Sequence, residues 1–340
     1  MKREIFLSAL SGIVLAGCSS GSGSSDSTGS MSAEARRRRS PSPSPHPSPS
    51  ASPSAAPSIS PGGLAWGVTL DSVDGQSSFG PVVTALSSLG VRPWVRLVID
   101  NGSSAAVSNY TAAYNAISPV ADIMWEICDS SYVQGTSLAT YQQITSNFLA
   151  AFPNSGLWEV GNELNGEWLG GKPYSSAVGV NNPPVAKAYA AWKLAHAAGK
   201  QTALTLYYEP SQTVTQGYDM VPWAQANFAS LQDMAQGLNK VLISYYETDN
   251  NNVRPTLAQW TTIFQGLRAV FPNAGLGFGE FGLSNPATSS TLSKAQSIMS
   301  YYYGLRPAVS NWWGGGFWWY GQEDLVPNSK PLFTLLKSMV

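Results

Sequence analysis

Short apolar and aromatic runs alternate along the chain with longer stretches of mixed character, and the alternation begins only after residue 62. The runs fall at residues 64–70, 91–100, 121–129, 156–163, 202–209, 241–247, 275–281 and 315–320. Each has strand length, whereas the segments 136–151, 185–199, 257–271, 291–303 and 329–339 have the length and period of amphipathic helices. Strands covered on both faces read as nearly continuous apolar runs, so this alternation predicts parallel strand–helix units. Two boundaries repeat one pattern: Phe152-Pro153-Asn154 precedes the fourth run and Phe271-Pro272-Asn273 the seventh, each a helix stop followed by a turn. Eight units within residues 62–340 suit one α/β domain, a (β/α)₈ or TIM barrel.

The first 61 residues lack this pattern. Lys2 and Arg3 form a positive head, residues 5–16 are mostly apolar, and Leu15-Ala16-Gly17-Cys18 follows. The apolar stretch is too short to span a bilayer, and the ending resembles the lipobox of bacterial lipoproteins. The resemblance implies a signal peptide over 1–17, lipidation at Cys18 and attachment to a membrane. Ser19 after the cysteine implies the outer membrane or cell surface, on the periplasmic or the outer side. Residues 18–61 are Ser, Pro and Gly with little to bury, which predicts a disordered tether, extended where Pro and Ser alternate. Arg36 to Arg39 read as a solvated patch or as a contact for anionic lipid or cell-wall polymer.

A net charge of −1 argues against nucleic acid as a partner. Of two histidines, His46 falls in the tether and His196 in a helix, which argues against a histidine metal site or a Ser-His-Asp triad. No cofactor is implied, and Cys128 is the one cysteine left in the domain. The domain is rich in Trp and Tyr, whose π faces suit the C–H faces of sugar rings. A monomer is expected.

Catalytic groups of such barrels come from the C-terminal ends of strands. The fourth run ends Gly161-Asn162-Glu163 and the seventh includes Gly279-Glu280. Cleaving a glycosidic bond needs one carboxyl to protonate the departing oxygen and another to meet the sugar carbon. With Asn-Glu on strand four and Glu on strand seven, the sequence resembles the clan A glycoside hydrolases, the retaining (β/α)₈ enzymes. The resemblance implies Glu163 as acid/base, Glu280 as nucleophile and Asn162 on the sugar 2-hydroxyl. Arg96 matches the arginine that fixes the nucleophile. Tyr246 or its neighbour Tyr245 matches the tyrosine beside it, and Trp319 or Trp318 the tryptophan under the sugar. Many families of the clan carry histidines near the third and sixth strand ends; here Met124 to Glu126 and Tyr245 to Glu247 stand there.

Long loops at 164–184 and 210–222 are expected to wall an open cleft, with Trp168 and Trp223 as sugar platforms. Trp125, Tyr132, Tyr207, Tyr208 and Trp312 are further platform candidates, and Glu126, Asp129, Glu209, Glu247, Glu323 and Asp324 could bind hydroxyls. Glu159 lies deeper and reads as a buried, paired residue. The leading expectation is internal cleavage of an external β-linked polysaccharide or its oligosaccharides. Alternatives are a carbohydrate-binding lipoprotein on an idle barrel, and a transglycosylase working through the same intermediate.

Overall fold

The computed structural model describes residues 64–340 except 101 and 211–216. The signal peptide, Cys18, Arg36 to Arg39 and the tether therefore lie outside the described residues. Eight strands form the barrel: β1 (Ala65–Leu70), β2 (Trp94–Val98), β3 (Asp122–Glu126), β4 (Leu157–Glu159), β5 (Thr202–Tyr207), β6 (Lys240–Tyr245), β7 (Gly275–Phe281) and β8 (Trp312–Trp318). Neighbours in sequence are parallel neighbours in space, and β8 pairs with β1, so the sheet closes on itself. This is the TIM-barrel fold.

The expected helices appear as Leu138–Ala151, Pro183–Ala197, Leu257–Val270, Leu292–Gly304 and Pro331–Met339. Their ends are written locally. The Thr256 side chain accepts from the Gln259 amide while the Gln259 side chain accepts from that of Thr256, a reciprocal cap that starts Leu257–Val270. Ser137 caps Leu138–Ala151 by accepting from Thr140. Gly80–Ser87, Val107–Ile117 and Met220–Phe228 also form helices, the last beginning at the end of the 210–222 stretch that the sequence marked as a loop. No helix among the described residues is long and apolar enough to cross a membrane.

Alternation along each strand sorts side chains into two cores. Val95, Leu97, Ile123, Trp125 and Trp158 point outward and pack beneath the helices. Inside, Met124, Leu157, Ala203, Leu242 and Phe317 form a dry plug, and Trp94 and Trp313 pack against it and edge to face on each other, their ring centres 5.5 Å apart. Gly67 leaves room for that plug, since a Cβ there would stand 2.5 Å from the Phe317 ring.

Two irregularities re-aim side chains at the opposite mouth. In β7, Leu276, Phe278 and Phe281 all belong to the outer core, so strict alternation would send Glu280 outward as well. The register with β6 slips between Ile243 and Ser244: Ile243 faces Phe278, and Ser244 faces Glu280. The residue passed over is Gly279, whose absent Cβ would stand 2.7 Å from Thr205 Oγ1. This bulge turns Glu280 into the barrel. Just after the fourth strand, Gly161 backs onto Leu164 and Ala188, and Glu163 then takes a left-handed φ of 50°. Non-glycine residues hold that conformation at a cost, and such strain gathers at functional sites.

Candidate active site

At the C-terminal mouth Arg96, Glu126, Glu159, Glu163 and Glu280 are all fully buried. Arg96 organises Glu126, Glu159 and Glu280 from the second strand. Its Nε and Nη2 donate to the two oxygens of Glu159 at 2.6 and 2.9 Å, a bidentate pair. The same Nη2 lies 3.0 Å from Glu126 Oε2 and 2.9 Å from Glu280 Oε1. Burial works against the Arg96 charge, but Glu126, Glu159 and Glu280 outweigh it and raise its pKa. Burial also raises Glu126 well above the usual carboxylate range; Glu159, Asp129 and Glu280 add to this, and Arg96 opposes it. Glu159 is raised by burial too, against the pull of Arg96 and its hydrogen bonds.

The two glutamates singled out in the sequence share a donor. Ser244 Oγ lies 2.6 Å from Glu163 Oε1 and 3.3 Å from Glu280 Oε2, so those oxygens are at most about 6 Å apart, the two distances laid end to end. Ser130 donates to the other Glu163 oxygen at 2.9 Å, and Tyr246 donates to Glu280 Oε2 at 2.9 Å. The Trp319 ring lies over Arg96, 5.4 Å from its guanidinium carbon. Asn162 donates from Nδ2 to Glu126 Oε1 at 2.6 Å.

Glu163, Glu280, Arg96, Asn162, Tyr246 and Trp319 thus converge, whereas their neighbours do not. Tyr245 points outward, packs on Trp260 at 5.2 Å and donates to Val253 O. Trp318 packs against Phe281 and donates to Asp324 Oδ2 at 2.8 Å, which commits Asp324 to the scaffold. Trp223, just past the 210–222 loop, is corrected as a platform: it is 1% exposed, because helix Met220–Phe228 turns it into the core. Trp125 and Trp312 also pack beneath helices. Trp168 keeps a partly exposed place, in a short 3₁₀ turn with its ring edge-on to Tyr207 at 5.2 Å. Asn165 ties this loop to the fifth strand, donating to Tyr207 O and accepting from Tyr207 N. Glu247 is taken by Arg254 through two contacts of 2.5 and 3.1 Å.

Three groups escaped the sequence reading. Ser130 and Ser244 carry no motif, although Ser244 stands two residues after the inward Leu242 and so shares its face. Asp71 follows β1 directly; burial, then Glu323, then Asp100 and Asp129 push its carboxyl up to about 7. Among the described residues no three His, Cys, Asp or Glu side chains are arranged to hold a metal ion.

A closed parallel barrel with its buried acids at the C-terminal mouth places the chain in the TIM-barrel class. No protein-family model matches the sequence, and no curated protein is similar to it. Solved structures resemble it in shape. Xylanase XynB from Paenibacillus barcinonensis aligns with a TM-score of 0.50 and 11% identity, over 80% of this chain and 92% of that one. XacCel5A gives 0.50 and 12%, over 81% and 98%. A GH5-4 broad specificity endoglucanase from an uncultured bacterium gives 0.47 and 13%, over 81% and 92%. At such identities the shared property is the fold.

Proposed function

We propose that the chain is a retaining glycoside hydrolase acting on a β-linked polysaccharide or its oligosaccharides, displayed at the cell surface on a lipid-anchored tether. The observation that carries this reading is the Ser244 hydroxyl touching both Glu163 and Glu280. The bound it sets, about 6 Å between the touching oxygens, is compatible with the roughly 5 to 5.5 Å of retaining carboxyl pairs. It falls short of the about 6.5 to 9.5 Å that leaves room for a water. The solved structures of similar fold include a xylanase, which agrees with this reading.

In the first step Glu163 gives its proton to the glycosidic oxygen while Glu280 attacks the sugar carbon; the C–O bond breaks and a glycosyl ester forms. In the second, Glu163 takes a proton from water, whose oxygen displaces Glu280 and restores both carboxyls. Arg96 and Tyr246 hold Glu280 in line for attack, and Trp319 floors the sugar. Long loops after the fourth and fifth strands favour internal cleavage.

The test is a panel of β-glucans, mannans, xylans and galactans offered to the parent, Glu163→Gln and Glu280→Gln, with product anomers read by NMR. The parent should release products of retained configuration, and each variant should be slower by at least about a hundredfold. Equal rates in all three, or inverted products, would overturn the assignment.

A further inference from the structure

The third strand ends in a carboxyl, Glu126, where many families of the resembled clan carry an imidazole. Its surroundings do not suit a full negative charge. An arginine Nη2 has two hydrogens; that of Arg96 gives one to Glu159 and stands within 3.0 Å of both Glu126 Oε2 and Glu280 Oε1. Neither of those two oxygens receives an aligned hydrogen bond. They therefore compete for the remaining hydrogen of one nitrogen, at most about 6 Å from each other. Buried carboxyls so crowded cannot all ionise, and a proton on one relieves the rest.

The donors decide which one keeps it. Glu159 has the bidentate guanidinium, and Glu280 has Tyr246 on its Oε2. Ser244 has one hydrogen to give and serves either Glu280 Oε2 or Glu163 Oε1 at a time; Glu163, also bonded by Ser130, stands outside this competition, because as the acid it carries a proton of its own. Glu126 has one neutral amide, from Asn162 at 2.6 Å. Of the groups acting on it, Glu159 from the fourth strand, Glu280 from the seventh and Asp129 beyond its own strand oppose its charge, and Arg96 from the second supports it. Cys128 and Tyr141, both raised chiefly by burial, also lie within its field.

We propose that Glu126 is neutral in the resting protein: Oε1 accepts from Asn162, and the hydroxyl on Oε2 turns to Glu280 Oε1. It is then a positioning residue, acting through the nucleophile and Asn162 and supplying an uncharged donor beside Glu280. The kinetic part of this inference rests on the glycosidase reading; the protonation part does not.

Two measurements on the full chain test it. Infrared difference spectra of the protein labelled with ¹³C-glutamate should show a protonated carboxyl carbonyl at neutral pH that Glu126→Gln abolishes. Should that variant fold poorly, Asn162→Ala should move the band to higher frequency by removing the hydrogen bond on Oε1. On any substrate the parent cleaves, Glu126→Ala should lose about a hundredfold in kcat, and Glu126→Gln, an uncharged donor of like shape, should recover about tenfold of that loss. As pH rises Glu126 ionises, its donor is lost and a second charge appears beside Glu280; Gln cannot do this, so its alkaline limb should lie higher in pH than the parent's. A spectrum without such a band, a band indifferent to both variants, or superimposed alkaline limbs would overturn the proposal. A parent that cleaves nothing while the band behaves as described would sink the glycosidase reading and leave Glu126 protonated.

Discussion

The barrel interior holds two layers of opposite character, built by the same alternation on the same strands. The lower layer, Met124, Leu157, Ala203, Leu242 and Phe317, is dry and apolar. Two residues further along, β3 and β4 place Glu126 and Glu159, and the layer becomes a guanidinium ringed by carboxyls. Burial is complete in both. The lower layer gains free energy from that burial, whereas the upper one pays desolvation that its pairing only partly offsets. A fold that needed stability alone would continue the plug upward, so the upper layer is best understood as a site retained for what it does.

Removing Arg96 should separate the layers most sharply. Arg96→Met keeps length and burial but leaves Glu126, Glu159 and Glu280 without their cation, and breaking a buried pair from one side costs about 3–5 kcal/mol. Denaturant midpoints should show a loss of that size, together with loss of activity. A variant as stable as the parent would mean that the carboxyls are already largely neutral. Phe317→Ala opens a cavity in the plug and should cost about 3 kcal/mol. Because Phe317 lies in the lower layer, its kcat below the melting range should stay within about threefold, as expected for a site that does not share its packing. A large fall in kcat would show that the layers are coupled.

The lower layer and the barrel around it are legible in the sequence, because each strand is an apolar run and helix stops such as Phe271-Pro272 punctuate them. The seventh run coincides with the observed strand, Gly275–Phe281. The fourth does not: the sequence extends it to residue 163, while the strand stops at Glu159, because Gly161 and the left-handed Glu163 break the pleat. Both glutamates could be picked out as strand-end acids, but their inward aim depends on irregularities that an alternating pattern does not encode. For the same reason Tyr245 and Tyr246, or Trp318 and Trp319, are hard to choose between before the register is known. Ser244, Ser130 and the buried setting of Glu126 depend on contacts across strands far apart in sequence, and no local signal reports them.

The β7 bulge can be tested directly. Gly279→Ala puts a Cβ 2.7 Å from Thr205 Oγ1 and 3.0 Å from Leu242 Cβ, where the two layers meet. Overpacking of this kind costs about 1–3 kcal/mol, and a small displacement of Glu280 should lower kcat by about tenfold or more. Restoring space with Thr205→Ala should recover part of both losses. A Gly279→Ala protein with unchanged kcat would mean that the aim of Glu280 does not depend on the bulge.

The smallest effect concerns how far the charged layer extends toward solvent. Asp71, directly after β1, has its carboxyl pushed up to about 7 by burial and then by Glu323. In the unfolded chain an aspartate titrates near about 3.9. Between those values the folded protein holds a proton that the unfolded one has released, so this group favours folding at low pH, and that contribution fades as pH rises toward about 7. Asp71→Asn stays neutral throughout and should remove this decline. Relative to the parent, its denaturant midpoint should therefore be higher at about pH 8 than at about pH 5. An unchanged difference between the two pH values would place Asp71 in ordinary solvent, and the charged layer would then end at Arg96 and its glutamates.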